Sequence, residues 1–438
     1  MKGKKFLLTA VLAASFTAML GAPSAAATVY TPVEGTSCNF NKYLIMDKGD
    51  TVPNATFSFT VTPGTGLPAK AATETAPGNM QVLPGVGTPT IADVTFAPTD
   101  TTTTTVGANS DVSRVASDRA AGLSAATGVQ LESGEKFATK QATVSFTGIT
   151  FDEPGVYRYI ITETANADHA AAGIMHDNDV DRVLDVYVVD DGTGALSVSS
   201  YVMHTDADVV ETNTTNGSGD VTTTGGALDD KTDGFTNEYN SKDLVFKKEV
   251  TGNQASRDKW FEFTVTLTNV NDNDKYVVSL ADDSDNATTD GSADATTGTT
   301  SATRTANREK TNPTTVTGAQ LKAGQKFYLQ HGQSIAIRGI APNAGYTVTE
   351  DAEDYKSINP SQYTDTLKVE GFTNITAGVI GSVADGNKAV MTSYLNQRDG
   401  VIPTGIILSA AGLIIVAIIV VAGIVFFGVR SRRKYEEE

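Results

Sequence analysis

Two sets of chemically able residues recur along this chain in the same order. The first is Phe40-Asn41-Lys42-Tyr43-Leu44, then Phe57-Ser58-Phe59-Thr60-Val61, then Thr162-Glu163 closing the run from Pro154, then Phe235-Thr236-Asn237. The second is Phe246-Lys247-Lys248-Glu249-Val250, then Phe261-Glu262-Phe263-Thr264-Val265, then Thr349-Glu350, then Tyr394-Leu395-Asn396. In a strand, residues i and i+2 share a face. Phe40, Lys42, Leu44 and Met46 therefore form one row, and Leu244, Phe246, Lys248 and Val250 another. Each row holds one lysine among apolar neighbours. An amine buried alone is costly unless it is paired, kept neutral or consumed. Kept neutral, it exposes a lone pair and becomes a nucleophile. Lys247 is the alternative to Lys248, but parity puts it on the opposite face. Asn240 is the alternative to Asn237, but only Asn237 has the aromatic-x-Asn spacing of the second set.

A third chemical feature closes the chain: Val401-Ile402-Pro403-Thr404-Gly405, an uncharged apolar run over 406–429, and Arg430-Ser431-Arg432-Arg433-Lys434. The run is long enough to cross a bilayer as a helix, and the basic cluster suits the cytoplasmic side. Pro-Thr-Gly directly before a span and a basic tail resembles a Gram-positive cell-wall sorting signal. The Leu-Pro-x-Thr-Gly form is replaced by Ile-Pro-Thr-Gly, as in several pilin subunits. The resemblance implies that a sortase cuts between Thr404 and Gly405 and passes the Thr404 carbonyl to an amine.

The remaining composition bounds what must position these residues. Lys2, Lys4 and Lys5, the apolar stretch to Leu20 and Ser24-Ala25-Ala26-Ala27 read as a signal peptide over residues 1–27. Cys38 is the single cysteine, so no internal disulfide can staple this secreted chain. The net charge of −18 argues against nucleic acid and anionic membrane surfaces as partners. Short alternating segments between Gly, Asp, Asn and Pro predict many strands and few helices, hence β-sandwiches. The predicted strands are Phe40–Met46, Phe57–Val61, Thr143–Phe146, Val156–Ile161, Val183–Val189, Leu196–Met203, Leu244–Val250, Phe261–Leu267, Tyr276–Leu280, Lys326–Leu329, Ser334–Ile337, Tyr346–Thr349, Thr366–Val369 and Val390–Leu395. Two polar segments, from Thr101 to about Gly134 and from about Asp282 to Thr314, read as loops outside the cores. His169, His176, His204 and His331 show no metal-ligand spacing, and Asp177–Asp181 and Asn271–Asp274 lack a full calcium-loop pattern. An enzyme is disfavoured; no cofactor and no metal are expected.

The ordered double set, joined to the sorting signal, resembles Gram-positive pilin domains that form internal isopeptide bonds, and the two-domain streptococcal major pilins most of all. The resemblance implies an all-β fold of two tandem immunoglobulin-like (collagen-adhesin B-type) sandwiches over residues 28–240 and 241–400, with a transmembrane helix inside the sorting signal over 401–438. It implies bonds Lys42–Asn237 and Lys248–Asn396, assisted by Glu163 and Glu350. In such domains the lysine amine attacks the asparagine amide and expels ammonia. Burial should lower the lysine pKa and raise the glutamate pKa, so that a neutral amine meets a protonated acid. Fixed proximity supplies effective molarities of about 10⁵ M or more.

The resemblance further implies a wall-anchored surface pilus built head to tail by a class C-type pilus sortase, with minor, tip and basal pilins and peptidoglycan as further partners. The motif Ile402-Pro403-Thr404-Gly405 would be the cleaved end. Lys231, flanked by acids and glycine, is the implied acceptor amine, with Lys242 in the expected interdomain linker as runner-up. A monomeric wall-anchored adhesin of the same modules is the alternative.

Overall fold

The computed structural model describes residues 29–69, 71, 81–106, 131, 134–176, 181–205, 212–215, 221–224, 231–281, 310–358, 376–382 and 388–400. The expected signal peptide, the Thr366–Val369 strand and the whole sorting signal lie outside them. Among the described residues no helix is long and apolar enough to cross a membrane.

Period-two alternation dominates, and the chain obeys it. In the N-terminal half the main elements are β1 (Ser37–Asp47), β2 (Phe59–Pro63), β3 (Glu135–Ser145), β4 (Gly155–Glu163), α1 (Ala167–Ala171), β5 (Asp181–Asp190), β6 (Leu196–His204) and β7 (Gly234–Tyr239). The C-terminal half contributes β8 (Lys242–Thr251), β9 (Phe261–Thr268), β10 (Lys275–Ala281), α2 (Gly318–Lys322), β11 (Gln325–Leu329), β12 (Ser334–Ile340), β13 (Gly345–Asp351) and β14 (Ala389–Gln397). Each half is a sandwich of two sheets. In the first, β7-β1-β3 faces β6-β5-β4-β2; in the second, β10-β12-β8-β14 faces β11-β9-β13. Two apolar cores fill the spaces between the sheets. The protein is therefore all-β, with two tandem immunoglobulin-like sandwiches.

In both halves the first strand pairs in parallel with the last. Phe235 stands opposite Lys42 and Asn237 opposite Leu44. Tyr394 stands opposite Lys248 and Asn396 opposite Val250. The asparagine thus lies opposite the residue two beyond the lysine, both times. Gly234 makes the first of these pairings possible, because a Cβ there would run into the Asn41 carbonyl oxygen.

Three expectations need correction. Phe57–Val61 is not one strand. Ala55–Phe57 pairs with Val94–Phe96, whereas β2 pairs with β4, so the chain changes sheet at Ser58. The stretch from Thr101 is not wholly outside the packing. Thr102–Thr103 adds to β3, and Val106 and Leu131 cover a small second cluster of Tyr43, Ile45 and Phe137. β1 is consequently buried on both faces over this part of its length. Lys242 begins β8, opposite Ile340, instead of lying in a linker.

Two buried arginines of the first half are anchored. Arg158 on β4 donates from Nε and Nη2 to the two carboxylate oxygens of Asp185 on β5, both at 2.8 Å. Arg182 on β5 donates from Nε to the Gly234 carbonyl at 3.1 Å, and its guanidinium lies 4.7 Å from the Phe235 ring. These contacts tie the strand carrying Glu163 to its neighbour, and that neighbour to the strand carrying Asn237.

Candidate functional site

The first site is built across the sandwich. Lys42 comes from the middle of β1 and Asn237 from β7 beside it. Glu163 comes from the end of β4 on the facing sheet, opposite Phe59. All three side chains are buried. Lys42 Nζ donates to Glu163 Oε2 at 2.6 Å and to Asn237 Oδ1 at 2.7 Å. Asn237 Nδ2 donates to Glu163 Oε1 at 2.7 Å. One carboxylate therefore holds the amine with one oxygen and the amide nitrogen with the other. The change of sheet at Ser58 puts the Phe57 ring under the amine, 4.5 Å from Nζ.

The second site repeats this plan. Lys248 Nζ lies 2.5 Å from Glu350 Oε1, and Asn396 Nδ2 donates to the same oxygen at 3.0 Å. Glu350 stands opposite Phe263, as Glu163 does opposite Phe59. Phe261 takes the place of Phe57, with its ring 4.3 Å from Lys248 Nζ. The Lys248–Glu350 contact is a close ion pair, and Asn396 Oδ1 has no hydrogen-bond partner among the described residues. An amine held by one acid and an amide carbonyl oxygen with no partner among the described residues are thus buried side by side.

The electrostatics of the two sites differ. Burial lowers Lys248 to about 8, against the opposing pull of Glu350 and Glu249. Burial also raises Glu350, against Lys248 and Asn396. This is the pattern expected of a neutral amine beside a protonated acid. At Glu163 burial pushes upward, but Lys42, a hydrogen bond from His176 and one from Asn237 outweigh it, leaving the acid at about 2. The expectation of a raised glutamate pKa fails there because the Lys42 charge, joined by hydrogen bonds from His176, Lys42 and Asn237, outweighs burial.

The third partner is His176, which no sequence motif marked. Its Nδ1 lies 2.9 Å from Glu163 Oε1 and 3.3 Å from Asn237 Nδ2. It arrives by a short detour after β4. Asn166 caps α1 by accepting from the Asp168 N–H at 2.9 Å. The helix ends, and Ile174–Met175 pairs with the edge of β7, setting His176 beside the site. The His169 ring of α1 stacks on His176 with centroids 5.5 Å apart and packs 4.8 Å from Phe57. The signal within the sequence was the Asn-Ala-Asp-His cap and a second histidine seven residues on.

The alternatives at these positions fall elsewhere. Lys247 pairs with Glu249 at 3.1 Å, and the Asn240 amide reaches Met175 Sδ at 2.7 Å. Lys231 is half-buried, and its backbone bridges to His204, so it is less free than a simple loop lysine. Ile402, Pro403, Thr404 and Gly405 lie outside the described residues. Cys38 is partly covered, and burial pushes its thiol up to about 12, so it is a poor nucleophile.

Residues 38–240 match the Spy0128-like isopeptide containing domain, a span that includes Lys42, Glu163 and Asn237. Residues 242–383 match a domain family of unknown function, DUF7601, which takes in Lys248 and Glu350 but stops short of Asn396. A pilin of Streptococcus pyogenes serotype M1 is 24% identical over 294 residues, covering 66% of this chain and 71% of that protein. The solved major pilin of Streptococcus pyogenes aligns over 84% of this chain and 100% of its own at 19% identity and a TM-score of 0.42. The T-13 major pilin of that species aligns over the same share at 22% identity and a TM-score of 0.40.

Proposed function

We propose that this chain, a relative of the streptococcal pilin that carries a Spy0128-like isopeptide containing domain, is the shaft subunit of a sortase-polymerised surface pilus. On this reading each half is locked by one internal bond, Lys42–Asn237 and Lys248–Asn396. The observation that carries it is the double trio. Twice, an amine, an acid and an amide from three strands meet in a buried pocket, in one register and over one phenylalanine ring.

The chemistry follows from that arrangement. The glutamate takes a proton from the lysine ammonium, and the freed amine attacks the asparagine Cγ. The acid returns its proton to the leaving nitrogen, the Cγ–Nδ2 bond breaks, ammonia departs, and the glutamate takes the second lysine proton from the new amide nitrogen. The step happens once per molecule and is maturation, not turnover. Each bond closes a long loop from first strand to last; Lys42 and Asn237 are 195 residues apart. By the chain-entropy estimate for cross-links, such a closure stabilises by about 5 kcal/mol. The bond also stands in the path of force, because tension on the last strand passes directly into the first. Reductants do not touch it, which suits a chain whose single cysteine cannot form an internal disulfide.

Polymerisation needs a donor end and an acceptor amine. We assign Thr404 as the donor, cut from Gly405 and held by a pilus sortase, and Lys231 of the next subunit as the acceptor. A head-to-tail contact of this kind is open-ended and yields fibres. The last subunit would pass to peptidoglycan, and minor subunits would occupy the tip and base. The test is a denaturing immunoblot of muramidase-released wall material, with mass spectrometry of any ladder. A ladder containing a Thr404–Lys231 linked peptide, lost in Lys231→Arg, is the expected result. A single band at monomer mass in wild-type cells that express the cognate sortase would replace the shaft with a monomeric wall-anchored adhesin.

A further inference from the structure

We propose that His176 takes part in closing the first bond: it stands against both the assisting acid and the departing nitrogen, and relays the proton that lets ammonia leave. This deepens the maturation reading above and rests on it.

The geometry is specific. Nδ1 of His176 lies 2.9 Å from Glu163 Oε1 and 3.3 Å from Asn237 Nδ2, the atom that must depart. Asn237 Nδ2 also donates to the same Oε1 at 2.7 Å. Acid, imidazole and leaving group thus form a closed triangle, with Lys42 on the other carboxylate oxygen at 2.6 Å. The ring is held for this contact. His169 stacks on it from α1, and its far nitrogen, Nε2, is buried with no hydrogen-bond partner among the described residues.

The second site shows why the first needs help. All four histidines lie among the described residues, and none stands at Glu350. His331 instead accepts from the Val250 N–H at 3.0 Å and faces Glu249. Burial raises the Glu350 carboxyl, against Lys248 and Asn396. Glu163 holds its proton weakly, since three partners favour its charged form.

The protons balance as follows. The Lys42 ammonium gives one proton to Glu163, and its nitrogen bonds to Asn237 Cγ. His176 gives its Nδ1 proton to Nδ2, and the Glu163 carboxyl, turning the proton it took on Oε2 toward the Oε1 side, replaces it on Nδ1. The second lysine proton also reaches the leaving group, the Cγ–Nδ2 bond breaks, and ammonium leaves. Glu163 and His176 end in their starting states, and no outside reactant is consumed.

The test follows both bonds in the full chain made by cell-free synthesis, quenched over a time course and digested. Mass spectrometry reads the ratio of linked to unlinked peptides, with the Lys248–Asn396 bond as the internal clock. His176→Gln and His176→Gly should slow the first bond about 100-fold, the low end of a positioned acid–base group, and leave the second unchanged. Added imidazole should restore the first bond in His176→Gly. First-bond formation at the wild-type rate in both variants would overturn the proposal. So would loss of the bond in both with no recovery in imidazole, since that marks a structural role alone. Absence of the first bond from the wild-type chain is a separate outcome: it would remove the maturation reading for this half, and His176's part with it.

Discussion

Glu163 stands directly opposite Phe59 across β4 and β2. The pair is repeated at Glu350 and Phe263 across β13 and β9. The second phenylalanine of each Phe-x-Phe sets the register of the acid, while the first lies under the lysine amine. The motif thus has two jobs. Its rings exclude water from the trio, and its backbone brings an acid from one sheet to an amine on the other. Excluding water matters because the reaction needs a neutral amine, and burial is what drives Lys248 down to about 8.

Removing the acid alone should separate the bond from the fold. In Glu350→Gln the side chain keeps its size, but proton transfer is lost. The mature chain should then keep one ammonia that the wild type has shed. The C-terminal half should also lose protease resistance. The missing closure costs about 5 kcal/mol, and the unpaired Lys248 costs about 3–5 kcal/mol more unless it gives up its proton. Intact-mass measurement with limited proteolysis checks both. A mass deficit equal to that of the wild type, after allowing for the substitution, would remove the role of Glu350.

The pH dependence of the second bond has a defined form. The reactive state, neutral lysine with protonated glutamate, carries the same number of protons as the ion pair. Its population is therefore level while the pair holds one proton, and falls on either side. Lys248 gives the upper limit, so the rate of Lys248–Asn396 closure should fall above about pH 8. Time-resolved peptide mapping at pH 6 to 10 measures it. A rate that kept climbing past pH 9 would mean that the acid is not needed in its protonated form.

The joint between the halves should respond to pH independently of the bonds. Asp50 is buried at the joint and accepts from Ser241 Oγ at 2.5 Å, while Asp243 accepts from the Gly339 N–H at 3.2 Å. Burial and its neighbour Asp243 raise Asp50 to about 7. Burial raises Asp243 to about 6, with Arg338 opposing. Groups that hold protons more tightly when folded stabilise at low pH. Their contribution is full below the ordinary carboxylate range and is lost as pH rises through about 6 to 7. The urea midpoint should therefore be higher at pH 5 than at pH 7.5. Asp243→Asn should shrink that difference by on the order of 1–2 kcal/mol. An unchanged difference in the variant would show that these carboxyls do not couple to stability.

Much of this architecture was legible before the structure. Strand parity put Lys42 and Lys248 in apolar rows, and both are buried. It separated Lys248 from Lys247, and the aromatic-x-Asn spacing separated Asn237 from Asn240. Parity could not show that Tyr43 and Ile45, on the opposite face of β1, are buried too, because their cover comes from Val106 and Leu131 at the ends of a polar stretch. Nor could it show the sheet change at Ser58, which depends on the different partners of Ala55–Phe57 and β2. His176 was invisible for a related reason. It reaches Glu163, thirteen residues earlier, through a capped helical turn and a two-residue edge pairing; the second half has the matching edge pairing, Lys356–Ser357 against β14, but Ile358 follows it where His176 follows the first.

The central claim is that both trios are consumed to make covalent bonds, and one measurement tests it most directly. The mature chain, purified under denaturing and reducing conditions, is weighed intact and then digested to locate any linked peptides. The account predicts a mass two ammonia units below that of the processed sequence, with cross-linked peptides joining Lys42 to Asn237 and Lys248 to Asn396. A mass equal to the processed sequence, with all four residues recovered in unmodified peptides, would contradict it and leave two buried ion pairs, each capped by an asparagine.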